Sequence, residues 1–489
     1  MKKIISVILI FILMCSLVSC NKNGNDSDTN GKISLFMFTP DTLNPLTTKY
    51  KTNASLLTSM MYKPLVIVNK DLSISPCLAT NWKFSKDGSV LKLFLREDIL
   101  FSDGTKLKAS HAKEMIETLK ENPQNLYSPI TEYVQSCSAT DNVLTIKLKK
   151  RGIGILTTLN FPIYKDKTSL LGCGSYVLSD KTENHLVFSA NTQEYANADF
   201  IPKLSEVKVL YYPSKDASAN AFSATDIDAV SCDINSLSTL STMKDISTFE
   251  YVTDKFTYLG FNCDSDILKN AYARKGIAYL LDKQSLVDSM IAGYAQTTNS
   301  PFRPGSSYDK IYKYDLKPDT EKSKANFKKS GTSDVPSFTI LINEESTSKA
   351  KVAEYINAKL RENGIDSSIV ALPYETYLEK INKGEYTTYI GEVVIPNDQD
   401  LTFLLHSSQN NLNYRVREMD NLLTQFSTSY TKTEKDELAK QIQTLLLKHV
   451  PIISLYYEKE VFAATNKIEG DFSPYANNLY HNISKWSVE

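Results

Sequence analysis

The spacing of apolar residues changes several times along the chain, and each change marks an element. Phe338, Ile340 and Ile342 fall at every second position, as they do where alternate side chains of a strand face a core. From Lys349 to Asn363 the period lengthens, so that Val352, Ala353, Ile356 and Leu360 fall on one face of a helix, and Gly364 stands where a glycine ends one. A strand over Ser368–Leu372, a helix over Tyr374–Lys383 and a strand over Tyr386–Ile395 follow. Strand, helix, strand, helix, strand predicts a parallel sheet covered by helices. Nearer the N-terminus, Val90–Leu95 reads as a strand after the turn Ser85-Lys86-Asp87-Gly88, and a second turn at Ser102-Asp103-Gly104 precedes a helix over Ala109–Lys120. That stretch is mixed α+β. Near the C-terminus Leu438, Ile442, Leu445 and Leu446 stripe a helix over Glu434–His449, which Pro451 separates from a strand over Ile452–Tyr456, and the tail through Trp486 is expected to pack.

At the very start, Lys2 and Lys3 precede an apolar run from Ile4 to Val18. Its length and basic flank are those of a secretory signal, and it falls short of the roughly 20 residues of a spanning helix. The run ends in Leu17-Val18-Ser19-Cys20, which resembles the lipobox of exported lipoproteins and makes Cys20 the lipidated first residue after a signal peptide of residues 1–19. Asn21–Gly31 carries nothing fit for a core, so residues 20–31 read as the lipidated cysteine and a flexible tether.

The remainder, about 470 residues, is too long for a single core and predicts a multilobed chain. With 55 basic against 56 acidic residues, neither a nucleic-acid footprint nor a polybasic membrane patch is present. Beyond Cys15 and Cys20, the five remaining cysteines are too widely spaced for a zinc knuckle or a dithiol motif and read as small core residues. The five histidines include no pair at metal-ligand spacing. No Gly-x-Ser-x-Gly elbow, His-Glu-x-x-His helix or phosphate-binding glycine loop occurs, so no cofactor is indicated and a secreted hydrolase ranks low among the alternatives.

Several blocks fall together in an order that resembles the extracellular solute-binding proteins of family 5, which serve oligopeptide, dipeptide and nickel ABC importers. They are Asp41-Thr42-Leu43-Asn44-Pro45, Tyr62-Lys63-Pro64-Leu65, Pro76-Cys77-Leu78-Ala79-Thr80-Asn81-Trp82, Leu95-Arg96 and Phe101-Ser102-Asp103-Gly104. Weaker matches are Gly172-Cys173-Gly174-Ser175-Tyr176 with Asn191 and Tyr195, and Tyr258-Leu259-Gly260-Phe261-Asn262 with Leu281-Asp282-Lys283. Most of these residues are suited to turns and packing.

The resemblance implies a two-lobed α/β fold of the class II periplasmic-binding-protein type, with an extra α+β subdomain in lobe one. Lobe one would comprise residues 32–256 and 462–489, with the subdomain at 50–160, and lobe two residues 257–461. Such a protein closes on its solute by hinge motion. It implies a monomer that is not an enzyme, held to the membrane by lipid, that captures peptides between the lobes and hands them to an ABC permease and ATPase. Nickel or haem capture and peptide-pheromone reception are the alternatives. The family's carboxylate for a peptide's amino terminus follows a Gly-Trp pair; here Gly391-Glu392 lacks the tryptophan and Pro396 stands near the aspartate's usual place. Asp398 is therefore the candidate anchor, with Asp400 and Glu392 behind it, while Thr39, Asn44 and Tyr62 are expected to face the cleft.

Overall fold

The computed structural model describes residues 31–488 apart from 123–124, 168, 192–200, 310–315, 332–336 and 410. Cys20 and Tyr195 lie outside the described residues. Ile33, Leu35 and Met37 share one face of strand β1 (Gly31–Phe38), which pairs in parallel with β2 (Leu204–Tyr212) in a four-stranded sheet. That face joins helix α1 (Lys51–Met61), through Leu56, Leu57 and Met60, in the main core of lobe one, which also buries Trp486 of the tail. The expected packing of the tail is thus realised. On the opposite face Phe36 meets helix α2 (Lys215–Ser223) and strand β3 (Ala229–Cys232). The subdomain is an antiparallel sheet of Ala79–Phe84, Val90–Leu95, Val143–Leu148 and Val134–Thr140, backed by the helix Ala109–Glu121. Both Asp-Gly turns need the left-handed backbone that glycine tolerates, with φ of 68° at Gly88 and 82° at Gly104.

The long strand β4 (Ile246–Phe261) leaves lobe one and enters lobe two. There it joins β5 (Ala295–Thr297), β6 (Phe338–Asn343), β7 (Ser367–Leu372), β8 (Thr388–Val394) and the returning strand β9 (Ile452–Thr465). β6 pairs in parallel with both β7 and β8, as the alternating pattern predicts, while β4 runs antiparallel to β8 and β9. Helix α3 (Thr347–Glu362) packs Val352, Ile356 and Leu360 on one sheet face against Leu259, Ile340 and Ile390. Helices α4 (Arg417–Thr428) and α5 (Lys432–His449) cover the other face, where Phe256, Tyr258 and Tyr457 lie.

One expectation needs correcting. The strand predicted to stop at Tyr456 continues to Thr465, through Glu458, Lys459 and Glu460. In these crossing strands Val252 faces Lys459 and Phe256 faces Tyr457, so three residues, 253–255, oppose Glu458 alone. Such a bulge bends the pair, here where the chain passes between lobes.

Candidate ligand site between the lobes

Parallel strands end together, and in α/β sheets ligands bind outside their carboxyl ends. In lobe one β1 and β2 end at Phe38 and Tyr212; in lobe two β6 and β8 end at Asn343 and Val394. Between these ends lie the bulged segments of β4 and β9. Side chains alternate along a strand, so Glu458 and Glu460 share one face of β9 and Lys459 takes the other. Thr257, paired with both Glu392 and Tyr456, fixes which lobe-two residues join Glu458 on its face.

The result is a charged basin. On the lobe-two side Lys255 Nζ lies 3.2 Å from Glu458, and Lys349 Nζ, in the first turn of α3, donates to Asn343 Oδ1 at 2.9 Å. Burial raises the Glu458 carboxyl above its ordinary value, and the nearby Glu392 carboxylate adds to that against the pull of Lys255. Burial likewise depresses the Lys349 ammonium, although Glu392 and Glu458 oppose it. On the lobe-one side Lys215 Nζ pairs with Glu460 at 2.6 Å and Asp233 at 3.8 Å, and Tyr251 hydrogen-bonds both Ser231 and Glu460. Burial opposes charge on Lys255, but Glu458, Glu392 and Glu460 together outweigh it and raise the ammonium. The two sides are therefore one electrostatic site, with carboxylates and ammonium groups within reach of a ligand that carries both charges.

Of the residues expected from sequence, Glu392 belongs to this basin and is exposed. Thr39 is exposed just past the end of β1, where its N–H donates to Tyr212 O at 3.0 Å. Asn44 instead shapes its own loop, accepting from the Leu46 N–H at 2.9 Å and reaching Tyr164 at 3.4 Å. Tyr62 departs from expectation: it is 1% exposed in the lobe-one core, its hydroxyl donating to Leu170 O at 2.9 Å. Tyr62 follows the last turn of α1, and the apolar neighbourhood of its ring outweighs its polar tip.

Asp398 and Asp400 lie elsewhere, in a clasp between the subdomain and lobe two. The Tyr133 hydroxyl donates to Asp398 Oδ2 at 2.5 Å, and Lys150 Nζ to Asp400 Oδ2 at 2.9 Å. Buried Lys435 donates to the Asp398 carbonyl at 2.7 Å. The Ile153 N–H donates to Ser429 O at 2.8 Å, and Gly152 lets the two backbones meet, since a Cβ there would lie 2.5 Å from Ser427 O. Burial raises the Asp400 carboxyl, but Lys150 and Thr402 hold it below the ordinary carboxylate range.

Sequence reasoning missed Lys215, Lys255, Lys349, Glu458 and Glu460, and in the clasp Tyr133, Lys150 and Lys435. One signal was available: Glu458-Lys459-Glu460 interrupts an apolar run from Ile452 to Ala464, as charges do where a strand crosses solvent. Among the described residues no group of three or more His, Cys, Asp and Glu side chains converges as a metal site, and the five cysteines are unpaired. No helix among them is long and apolar enough to cross a membrane.

Known proteins share this architecture. The nickel-binding periplasmic protein of Escherichia coli is 26% identical over 66% of this chain and 67% of its own. The oligopeptide-binding protein OppA of Bacillus subtilis is 21% identical over 98% of both chains. The crystal structure of the nickel ABC transporter protein from Bacillus halodurans superposes with a TM-score of 0.83 at 20% identity, covering 94% of this chain and 100% of that one. These likenesses show the two-lobed class II binding-protein fold. The model of the bacterial extracellular solute-binding proteins, family 5, matches residues 73–414, and the chain belongs to that family of non-enzymatic, extracytoplasmic binding proteins of ABC importers.

Proposed function

We propose that this solute-binding protein captures peptides in the interlobe basin and delivers them to its permease and ATPase, anchored outside the membrane by lipid on Cys20. In this reading lobe one is residues 32–256 and 462–489 and lobe two residues 257–461. The protein acts as a monomer, with residues 20–31 as tether. The observation that carries it is the basin itself. Four carboxylates, Glu392, Glu458, Glu460 and Asp233, lie there with three ammonium groups, Lys215, Lys255 and Lys349. A peptide is a zwitterion, and burying either end requires an opposite charge. We assign its amino terminus to Glu392 and Glu458, and its carboxylate to the lysines. Asp398 and Asp400, whose oxygens already serve Tyr133, Lys150 and Thr402, hold the subdomain in place beside the ligand.

The match with the oligopeptide-binding protein over nearly its whole length favours peptides, and the nickel-binding relative makes the metal the competing cargo. Native mass spectrometry of the purified protein, then calorimetric titration with a mixed peptide library and with nickel, tests this. Peptide binding that weakens in Glu392→Gln supports the assignment. Binding of nickel, haem or glutathione without peptide leaves an importer with different cargo.

A further inference from the structure

The crossing strands have a second face. Tyr457 and Lys459 of β9 point away from the basin, and with them Val252 and Gln296, their partners in register on β4 and β5. On that side lies a cavity of about 500 Å³, distinct from the basin, where three parts of the molecule converge. The subdomain contributes the turn at Asn69 and Lys70, lobe two the loop at Arg303 and Pro304, and the tail Tyr475 and Ala476. Its size is that of a small-molecule site.

Arg303 gives the cavity its chemistry. Its side chain is 4% exposed, which would leave a guanidinium costly unless well satisfied. Two donors are used, on Ile395 O at 3.0 Å and Asn397 Oδ1 at 3.3 Å, and Nε has no partner. Asp254, on the bulge, supports its charge from nearby but is itself paired with Lys51. Lys70 is exposed and has no ion-pair partner among the described residues. Lys459 is held by Glu250 at 3.0 Å, a pair half open to solvent whose ammonium a stronger anion can take over. Val252, Pro304 and the Tyr475 ring supply an apolar wall.

We propose that this cavity is a second solute site, which takes a small organic carboxylate with an apolar body. The carboxylate accepts from Arg303, whose planar fork matches it, and lies within reach of Lys459 and Lys70, while the body packs on Tyr475 and Pro304. Of the residues named in the basin Tyr251 also borders the cavity, but its hydroxyl is engaged by Ser231 and Glu460 on the basin side. No charged group of the basin lines the cavity, so the proposal stands or falls apart from the peptide reading.

The test is calorimetric titration of the purified protein with 3-phenylpropionate and, separately, with its uncharged amide. The carboxylate is expected to bind saturably and the amide about tenfold or more weaker. Ala476→Trp, which fills the cavity, and Arg303→Lys, which keeps the charge but loses the fork, are each expected to weaken binding about tenfold. Glu392→Gln is expected to leave it unchanged. No saturation up to about 10 mM, equal binding of the amide, or binding indifferent to Ala476→Trp overturns the proposal. Loss of binding in Glu392→Gln also overturns it, by placing the probe in the basin.

Discussion

Replacing Tyr133 with phenylalanine removes one oxygen from the clasp and leaves the ring in place. The hydroxyl is a secure donor, since burial and the neighbouring Asp398 push its pKa far above that of a free phenol. It meets Asp398 Oδ2 at 2.5 Å, and Asp398 is only 9% exposed, so water does not readily replace it. Asp398 would keep the Asp400 N–H at 3.1 Å and little else on its carboxylate. A hydrogen bond to a charged group contributes about 1.5–3 kcal/mol net. Because the contact joins the subdomain to lobe two, the loss falls on opening of the clasp and not on either core. The Ile153 amide reports that opening, since its hydrogen bond to Ser429 O at 2.8 Å spans the same gap. Its hydrogen exchange in Tyr133→Phe should quicken by about 10- to 150-fold, the same energy at about 1.4 kcal/mol per factor of ten. Amides within β6 should not change. Tyr62→Phe removes a hydroxyl bonded inside the lobe-one core and should leave Ile153 as it is. Acceleration at Ile153 below about threefold, or equal acceleration in β6, would refute a clasp that opens independently of the cores.

Glu392→Gln should weaken peptide binding by about 10- to 150-fold, the worth of a charged hydrogen bond, as read by calorimetry. The raised Glu458 carboxyl has a definite sign: the folded protein holds this proton more tightly than the unfolded chain, so its contribution to stability declines as pH rises from the ordinary glutamate value of 4.5 through the folded value. Melting temperature against pH should carry that decline, and Glu458→Gln should remove it. Asp400 has the opposite sign, because its lowered carboxyl contributes stability above the unfolded value that is lost as pH falls through the folded one. Protection of Ile153 should therefore fall on acidification, and Asp400→Asn should flatten that dependence. Gly152→Ala places a Cβ 2.5 Å from Ser427 O at a backbone φ of 130°, and should open the clasp at a cost of about 1–3 kcal/mol or more, seen in the same exchange experiment.

Much of the fold was legible because its signals are local. The helix and strand periods between Phe338 and Val394 can be counted from neighbouring residues, and they place the parallel sheet correctly. The turns at Gly88 and Gly104 follow from Asp-Gly dipeptides, whose left-handed second position favours glycine. The candidate site has no local signal of that kind. Lys255, Glu392 and Glu458 meet only because β4 lies between β8 and β9, a pairing set by residues far apart in the chain. Tyr133 and Asp398 are separated by 265 positions, and nothing near either announces the other. Tyr62 shows the converse error, since the resemblance put it at the cleft whereas its ring belongs to a core.

The charged triplet of β9 ties these observations together. A strand that lay wholly inside one lobe would bury every second residue, and three consecutive charges would leave at least one of them in a core. Glu458, Lys459 and Glu460 are tolerated because at that point the strand has left one core and has not entered the next. Alternation then sends Glu458 and Glu460 to the basin and Lys459 to the cavity behind it. A charge run that ends a strand in sequence reasoning is here the part of the strand that serves both sites, and its even and odd positions divide their chemistry. Exchanging Lys459 for glutamate should therefore abolish carboxylate binding in the cavity while the basin keeps its peptide affinity within about threefold. Equal loss at both would mean that the two faces of the hinge do not act separately.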